Sequence, residues 1–362
     1  MKSKMLPIDT DVIEEDVNEI LNDDLPWERL SGKTVVITGA NGMLAAYIVE
    51  TLLTLNDRID KPIRVVALVR NVDKAMKRFS RWTGCLNLIV KQWRSDDSDI
   101  GIEECNILIH AASIPRPDSK IPVDVIAPNV IGSWNLLNYC RTHCRKLEQF
   151  IFFSSGAVYG DNFTDDRRVS ESQFFPINQM DPVSCYAESK RMGENLCVSF
   201  MRQYGIPVKI LRYAHTYGPG MDLAKDPRSF IYFVNCVLNG KDIELRTSGE
   251  MVRYFCYITD ATRALFYILF RGSNGEAFNV ANDNGKTSIC ELAKMIAGLS
   301  SSKSKVLLNV ANTKVPGYSP QQYAFHPDTQ KLQMLGFEPR VSVPDGFSRV
   351  LRYYGSTCAN KT

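Results

Sequence analysis

Short, almost wholly apolar runs alternate with helical stretches from Lys33 to Arg212, and this alternation constrains the chain more than any other feature. Residues 34–38, 64–69, 86–93, 106–111, 150–154 and 208–212 read as strands. Helices are expected from the end of the first strand through about Leu55, over 74–79, from 123 to about 144, and from 184 to about 204. A strand apolar on both faces belongs in a sheet that is covered on both sides, and strand–helix alternation of this kind predicts an α/β fold with a doubly wound parallel sheet. Past residue 213 the rhythm changes. Gly218, Pro219, Gly220 and Pro227 cluster, then helices are expected over 288–299 and 328–335 with a polar loop over 300–305. The expected organisation is an acidic extension over 1–30, a dinucleotide-binding domain over 31–213 and a smaller C-terminal α/β lobe over 214–362, with some interleaving of the last two.

Composition narrows the function classes. With 44% apolar and 23% charged residues the chain is neither disordered nor fibrous. The longest apolar stretch, 264–270, is closed by Arg263 and Arg271 and falls short of the ~18 residues a membrane span needs. The opening residues lack the apolar core of a secretory signal, so the expected location is cytoplasmic. A net charge of +3 predicts no nucleic-acid or membrane partner. The first thirty residues hold nine acids against Lys2, Lys4 and Arg29, which leaves the rest basic enough to suit an anionic small ligand. Within that acidic segment Val12, Ile13, Val17, Ile20 and Leu21 recur at helical spacing; a packing arm, an oligomer contact and a lid all fit. The ten cysteines are scattered without a Cys-x-x-Cys pair. Cys140, His143 and Cys144 are the tightest group and too few for a metal, so free thiols and no metal are expected.

The first strand runs into Thr38-Gly39-Ala40-Asn41-Gly42-Met43-Leu44-Ala45. Gly39 permits a tight turn, Gly42 lets backbone approach a pyrophosphate, and Ala45 lets the helix pack close to the strand. Gly39, Asn41, Gly42, Met43 and Leu44 are therefore the candidate dinucleotide cradle of a Rossmann-type domain, with the helix N-terminus facing the phosphates. The second strand ends at Arg70. An acid there would bond the ribose of NAD, whereas an arginine suits the extra phosphate of NADP, so Arg70 leans toward NADP and both cofactors, NAD or NADP, stay open.

Tyr186-Ala187-Glu188-Ser189-Lys190 places a phenol and an ammonium on one helix face, and of fifteen tyrosines only Tyr186 has a lysine four residues on. A phenol titrates near ~10, too high for a base at neutral pH, and a neighbouring cation lowers that value. Tyr186 is then a candidate acid/base, Lys190 its tuner and Ser155, at the end of the fifth strand, a hydrogen-bond partner for the reacting hydroxyl.

These motifs together resemble the extended short-chain dehydrogenase/reductase family, of the NAD-dependent epimerase/dehydratase type that modifies nucleotide-sugars, over roughly residues 30–355. The resemblance rests on the glycine turn, His110-Ala111-Ala112, Asn129-Val130-Ile131-Gly132, Ser154 to Gly160, Tyr186 with Lys190, Tyr217-Gly218-Pro219 and Arg253 to Asp260. It implies that Ala111 and Ala112 wall the cofactor, that Asn129 supports the site, and that Arg253 pairs with a substrate diphosphate. His215 stands where relatives commonly carry asparagine and is a candidate sugar or phosphate contact. Phe325-His326 stands where many relatives are basic. Gly156 and Ala157 replace the Asp-Glu pair that serves 4,6-dehydratases, which argues against dehydration and weakens decarboxylation. The resemblance thus implies a nucleotide-diphosphate sugar as partner, a homodimer, and hydride transfer at sugar C4. A 4-epimerase leads, an NADPH-dependent 4-keto reductase is the rival, and a non-catalytic dinucleotide binder is disfavoured because all three catalytic positions are kept.

Overall fold

The computed structural model describes residues 10–102, 104–114, 121–160, 167–300, 304–309 and 325–355. Helix α1 (Thr10–Leu21) precedes β1 (Thr34–Thr38), α2 (Met43–Leu55), β2 (Arg64–Val69), α3 (Val72–Arg78), β3 (Leu88–Gln92), β4 (Ile107–His110), α4 (Pro122–His143), β5 (Gln149–Ser155), β6 (Arg168–Val169), α5 (Cys185–Tyr204) and β7 (Val208–Tyr213). The remainder forms β8 (His215–Tyr217), α6 (Ser229–Leu238), β9 (Ile243–Leu245), β10 (Val252–Tyr257), α7 (Ile258–Arg271), β11 (Ala277–Val280), β12 (Lys286–Ser288), α8 (Ile289–Gly298), β13 (Val306–Leu308), β14 (His326–Pro327), α9 (Gln330–Gln333) and α10 (Val343–Gly355).

Seven strands form one parallel sheet in the order β11-β7-β5-β4-β1-β2-β3. The apolar strands divide by their period of two into two cores. Val35, Ile37, Ile151 and Phe153 face α2 and α7, whereas Val36, Phe150 and Phe152 face α4 and α5. Strand β1 lies between β2 and β4, so the winding direction reverses beside it and a crevice opens at the strands' carboxyl ends. The third strand is shorter than expected because Leu86, 94% exposed, stays outside the sheet. The helix expected over 328–335 is a single turn, Gln330–Gln333. The seventh strand, Ala277–Val280, comes from beyond residue 213.

The N-terminal segment packs into the molecule. Val12, Val17, Ile20 and Leu21 on α1 are buried against α2, α7 and α10. Asp16, fully buried on the same helix, accepts hydrogen bonds from Tyr47 Oη (2.8 Å), Tyr257 Oη (2.7 Å) and Arg349 Nη1 (2.7 Å). Burial pushes its carboxyl above the usual range, and the bonds from Tyr257, Arg349 and Tyr47 offset this. Arg263, equally buried, pairs with Asp23 and Asp260 at 2.7 Å each. Such pairs hold only as sets, since deleting one member strands a buried charge. No described helix is long and apolar enough to cross a membrane.

Candidate active site

A cleft of about 620 Å³ opens where β1 meets its two neighbours, and it runs toward β8 and β10. Its inner wall is the turn after β1. Gly39 holds φ of +64°, and a Cβ there would sit 2.8 Å from Ala112 Cα and 3.0 Å from Ala112 N, so only glycine lets this turn rest on the β4 terminus. The contact is locked by polar bonds. Ala112 N donates to Thr38 Oγ1 (3.2 Å), Thr38 Oγ1 bonds His110 Nδ1 (2.7 Å), and His110 Nε2 reaches the Pro128 carbonyl (3.1 Å) on α4. Burial drives His110 down to about 3, so the ring stays neutral and serves as a rigid link between β1, β4 and α4.

Helix α2 starts at Met43 with Gly42 as its N-cap and no side-chain cap bond. Its free N–H groups open into the cleft beside Gly39, Asn41, Met43, Leu44 and Ala111. Two lining hydroxyls, Ser113 Oγ and Tyr213 Oη, are buried without a hydrogen-bond partner among the described residues. An uncapped helix end, a close glycine turn and two orphaned hydroxyls fit a bound dinucleotide.

Ser155, Tyr186 and Lys190 come together at the other side of this cleft. Ser155 ends β5, and its Oγ accepts from Ala157 N at 3.2 Å while bonding the Tyr186 phenol. Burial pushes that phenol above its usual range; the Ser155 bond and then the charge of Arg228 pull it back. Lys190 shares this cleft, and among the described residues its Nζ is held by the neighbouring strand β5. A buried ammonium needs an acceptor, and Nζ donates to the Phe153 carbonyl at 2.6 Å while lying 4.9 Å over the Phe152 ring. Burial lowers Lys190 to about 7, with Glu194 and Cys197 opposing.

Asn129 stands behind the cleft. Its Nδ2 donates to Ser189 Oγ at 3.0 Å, and Ser189 Oγ donates to the Tyr186 carbonyl at 2.9 Å, so it steadies the turn of α5 that carries the phenol. Ala112 acts through its backbone and is outside the lining; Arg70 is exposed at the end of β2, also outside the lining, with its carbonyl bonded by Gln92 Nε2 at 3.2 Å. His215 and Arg253 line the far end. Burial, then the nearby charges of Arg253 and Arg228, drive His215 down to about 3, so its ring is neutral.

Sequence reading missed Lys74, Ser113 and Arg228 in this lining. Ser113 directly follows Ala111-Ala112 and was within reach of the strand-end rule. Arg228 had no local signal: it is aimed by Asp226, which accepts from Nε and Nη2 at 2.9 and 2.6 Å. Phe325 closes the space over Gly156, where a Cβ would lie 2.6 Å from its ring. Among the described residues the lining carboxylates are Asp222, which caps the turn at Ala224 and Lys225, and Asp226, held by Arg228. No described group of His, Cys, Asp and Glu has metal-site geometry.

Residues 35–281 match the sequence model of a family described as the NAD dependent epimerase/dehydratase family. The chain is 27% identical over 327 residues to UDP-glucuronic acid decarboxylase 1 of Xenopus tropicalis, covering 89% of this chain and 72% of that protein. It is 28% identical to UDP-glucuronic acid decarboxylase 6 of Arabidopsis thaliana, covering 87% of each. The fold is shared with UDP-glucose 4-epimerase of Thermotoga maritima (TM-score 0.75, 23% identity, 90% of this chain and 99% of that one). It is also shared with UDP-glucuronic acid 4-epimerase of Bacillus cereus in complex with UDP-glucuronic acid and NAD (TM-score 0.74, 24% identity, 89% and 99%).

Proposed function

Because this chain belongs to the NAD dependent epimerase/dehydratase family, we propose that it inverts C4 of a nucleotide-diphosphate sugar and recycles its own dinucleotide. One observation carries the reading: the Ser155–Tyr186 bond sits in the cleft beside Gly156 and Ala157, with no carboxylate at those two positions. An elimination of water needs an added acid and base there, and the missing carboxylate also weakens decarboxylation, whereas removal and return of hydrogen at C4 needs only a hydroxyl partner and a proton carrier. A bound nicotinamide cofactor, which the Gly39–Leu44 turn and the start of α2 would hold, would supply the hydride acceptor and donor for the sugar carbon.

The residues divide the remaining tasks. Tyr186 Oη takes the proton of the C4 hydroxyl as the carbonyl forms and returns it afterwards. Ser155 Oγ fixes that oxygen. Lys190 anchors the base of the site through the Phe153 carbonyl. The uncapped start of α2 holds the dinucleotide pyrophosphate, and Arg253 with Arg228 faces the substrate diphosphate, for which a guanidinium fork is well shaped. Nothing at Arg70 favours NADP, and the relatives' 4-epimerase complex with NAD supports NAD. The test is incubation with UDP-glucose and with UDP-glucuronic acid, read by product chromatography and carbon dioxide release. Epimer mixtures with the carboxylate retained are expected; carbon dioxide from the uronic acid would overturn the reading in favour of the decarboxylase relatives.

We also infer a homodimer through α4 and α5. Their outward faces carry Ile126, Ile131, Trp134, Met192, Val198 and Tyr204, each at least 36% exposed. An apolar face of this extent suits an isologous contact with a second copy. Sedimentation should show a dimer that Trp134→Glu converts to monomer; a wild-type monomer at micromolar concentration would sink the inference.

A further inference from the structure

The cleft wall beside Ser155 is apolar and held in place. Phe153, Gly156, Ala157 and Phe325 form it. A Cβ on Gly156 would lie 2.6 and 2.8 Å from two Phe325 ring carbons, so the ring closes down to the backbone next to Ser155. Phe325 is braced from behind. It stacks on Tyr159 with ring centroids 4.8 Å apart, and Tyr159 Oη donates to Asn279 Oδ1 and accepts from Arg212 Nη1, each at 2.8 Å. The next residue, His326, stacks on Tyr254 at 4.5 Å, and its strand β14 pairs with β6. A ligand therefore meets a fixed aromatic surface here. The charged groups around it are arranged against an anion. Among the described residues the lining carries Lys74, Lys190, Arg228 and Arg253, with the carboxylates of Asp222 and Asp226. Lys190 is held by the Phe153 carbonyl, and Arg228 by Asp226 and by the Thr216 carbonyl at 3.2 Å. Lys74 lies on α3, which follows β2 on the far side of β1 from Ser155. Asp222 is fixed by the turn it caps, since its Oδ1 accepts from Ala224 N (3.3 Å) and Lys225 N (3.2 Å).

We propose that this site prefers nucleotide-sugars whose C5 substituent is uncharged, a hydroxymethyl group or a hydrogen, over uronic acids. The inference rests on the C4 reading above, which puts C4 between Ser155 and Tyr186 and the C5 substituent in the adjoining space under Phe325. A carboxylate there exchanges water for an aromatic wall. Lys190 and Arg228 already have acceptors, Arg253 is assigned to the diphosphate, and Asp222 adds charge of the same sign. A desolvated anion without a counter-charge is strongly disfavoured, whereas a hydroxymethyl group or a hydrogen loses little at the same surface. Gly156 and Phe325 supply the wall, and Asp222 supplies the repulsion.

The experiment titrates UDP-glucose, UDP-xylose and UDP-glucuronic acid into the full-length protein saturated with NAD and reads each affinity by calorimetry. UDP-glucose and UDP-xylose should bind within a few-fold of each other, and UDP-glucuronic acid about tenfold or more weaker. Asp222→Asn keeps the turn acceptor and removes the charge, so it should narrow that gap by about threefold or more. Equal or tighter binding of UDP-glucuronic acid would overturn the proposal. An equal loss for UDP-xylose would do so too, by making size and not charge the criterion, and a gap unchanged in Asp222→Asn would remove the role of Asp222. The wild-type ranking decides the preference even where the variant fails to fold. Product chromatography tests the C4 reading separately. The ranking without any C4 epimer keeps this preference and sinks that reading, whereas epimerisation of UDP-glucuronic acid at matched affinity does the reverse. Failure of all three to bind would remove both.

Discussion

Tyr186→Phe is expected to lower turnover on the nucleotide-sugar by about 10²–10⁴-fold, the range that loss of a positioned proton carrier gives. The loss should fall on turnover with little effect on dinucleotide retention. The phenol oxygen is bonded to Ser155 at one side of the cleft, whereas the proposed pyrophosphate cradle is the Gly39–Leu44 turn on the other side of the sheet's reversal point. Phenylalanine keeps the ring and its packing and removes one oxygen. In the ligand-free protein burial keeps Tyr186 protonated, with Arg228 the charge that opposes this. Full activity in the variant would sink the mechanism, and coincident loss of bound dinucleotide would show that Tyr186 holds the cofactor instead. Turnover assays paired with chromatography of the released dinucleotide separate the two.

Lys190→Met should abolish activity and yet stabilise the dinucleotide-free protein at neutral pH. Burial lowers the folded-state value of Lys190 to about 7 from an ordinary 10.5. Between these values the unfolded chain binds a proton that the folded chain has released, so this group makes stability rise with pH across that window. Its penalty is therefore full below about pH 7 and vanishes above 10.5. Several units at ~1.4 kcal/mol each amount to a few kcal/mol, against ~1 kcal/mol for the lost bond to the Phe153 carbonyl. Methionine fills a similar volume without charge. The variant should thus melt a few degrees higher at pH 7 and lose that advantage toward pH 10, as measured by thermal unfolding of both proteins stripped of dinucleotide. A lower melting point at pH 7 would show that the carbonyl bond outweighs burial of the charge.

Much of the dinucleotide half was legible because its strands are buried on both faces, which makes them continuous apolar runs bounded by turn residues and alternating with helical periods. Strand β11 was not. Its Asn279 is polar because the side chain bonds the Val169 and Asp328 carbonyls and accepts from Tyr159 Oη, all contacts made at long range. The Tyr186–Lys190 spacing placed both groups at one site, but helix geometry is silent about acceptors on a neighbouring strand, and the Phe153 carbonyl takes the ammonium. Phe325 over Gly156 joins residues far apart in the chain, and Arg228 depends on an aspartate two residues earlier; neither leaves a local period to read.

The pairing of α1 with α10 also determines how the molecule can come apart. Arg349 pairs with Asp16 and Glu19, and Arg352 with Glu15, so the two helices run antiparallel and Thr10 lies at the same end as Gly355. Here α1 and α10 cover each other, with the Asp16 carboxylate sealed between them and the hydroxyls of Tyr47 and Tyr257. Neither helix can leave without uncovering the other's buried face and the Asp16 carboxylate, so the α1–α10 clasp opens as a unit.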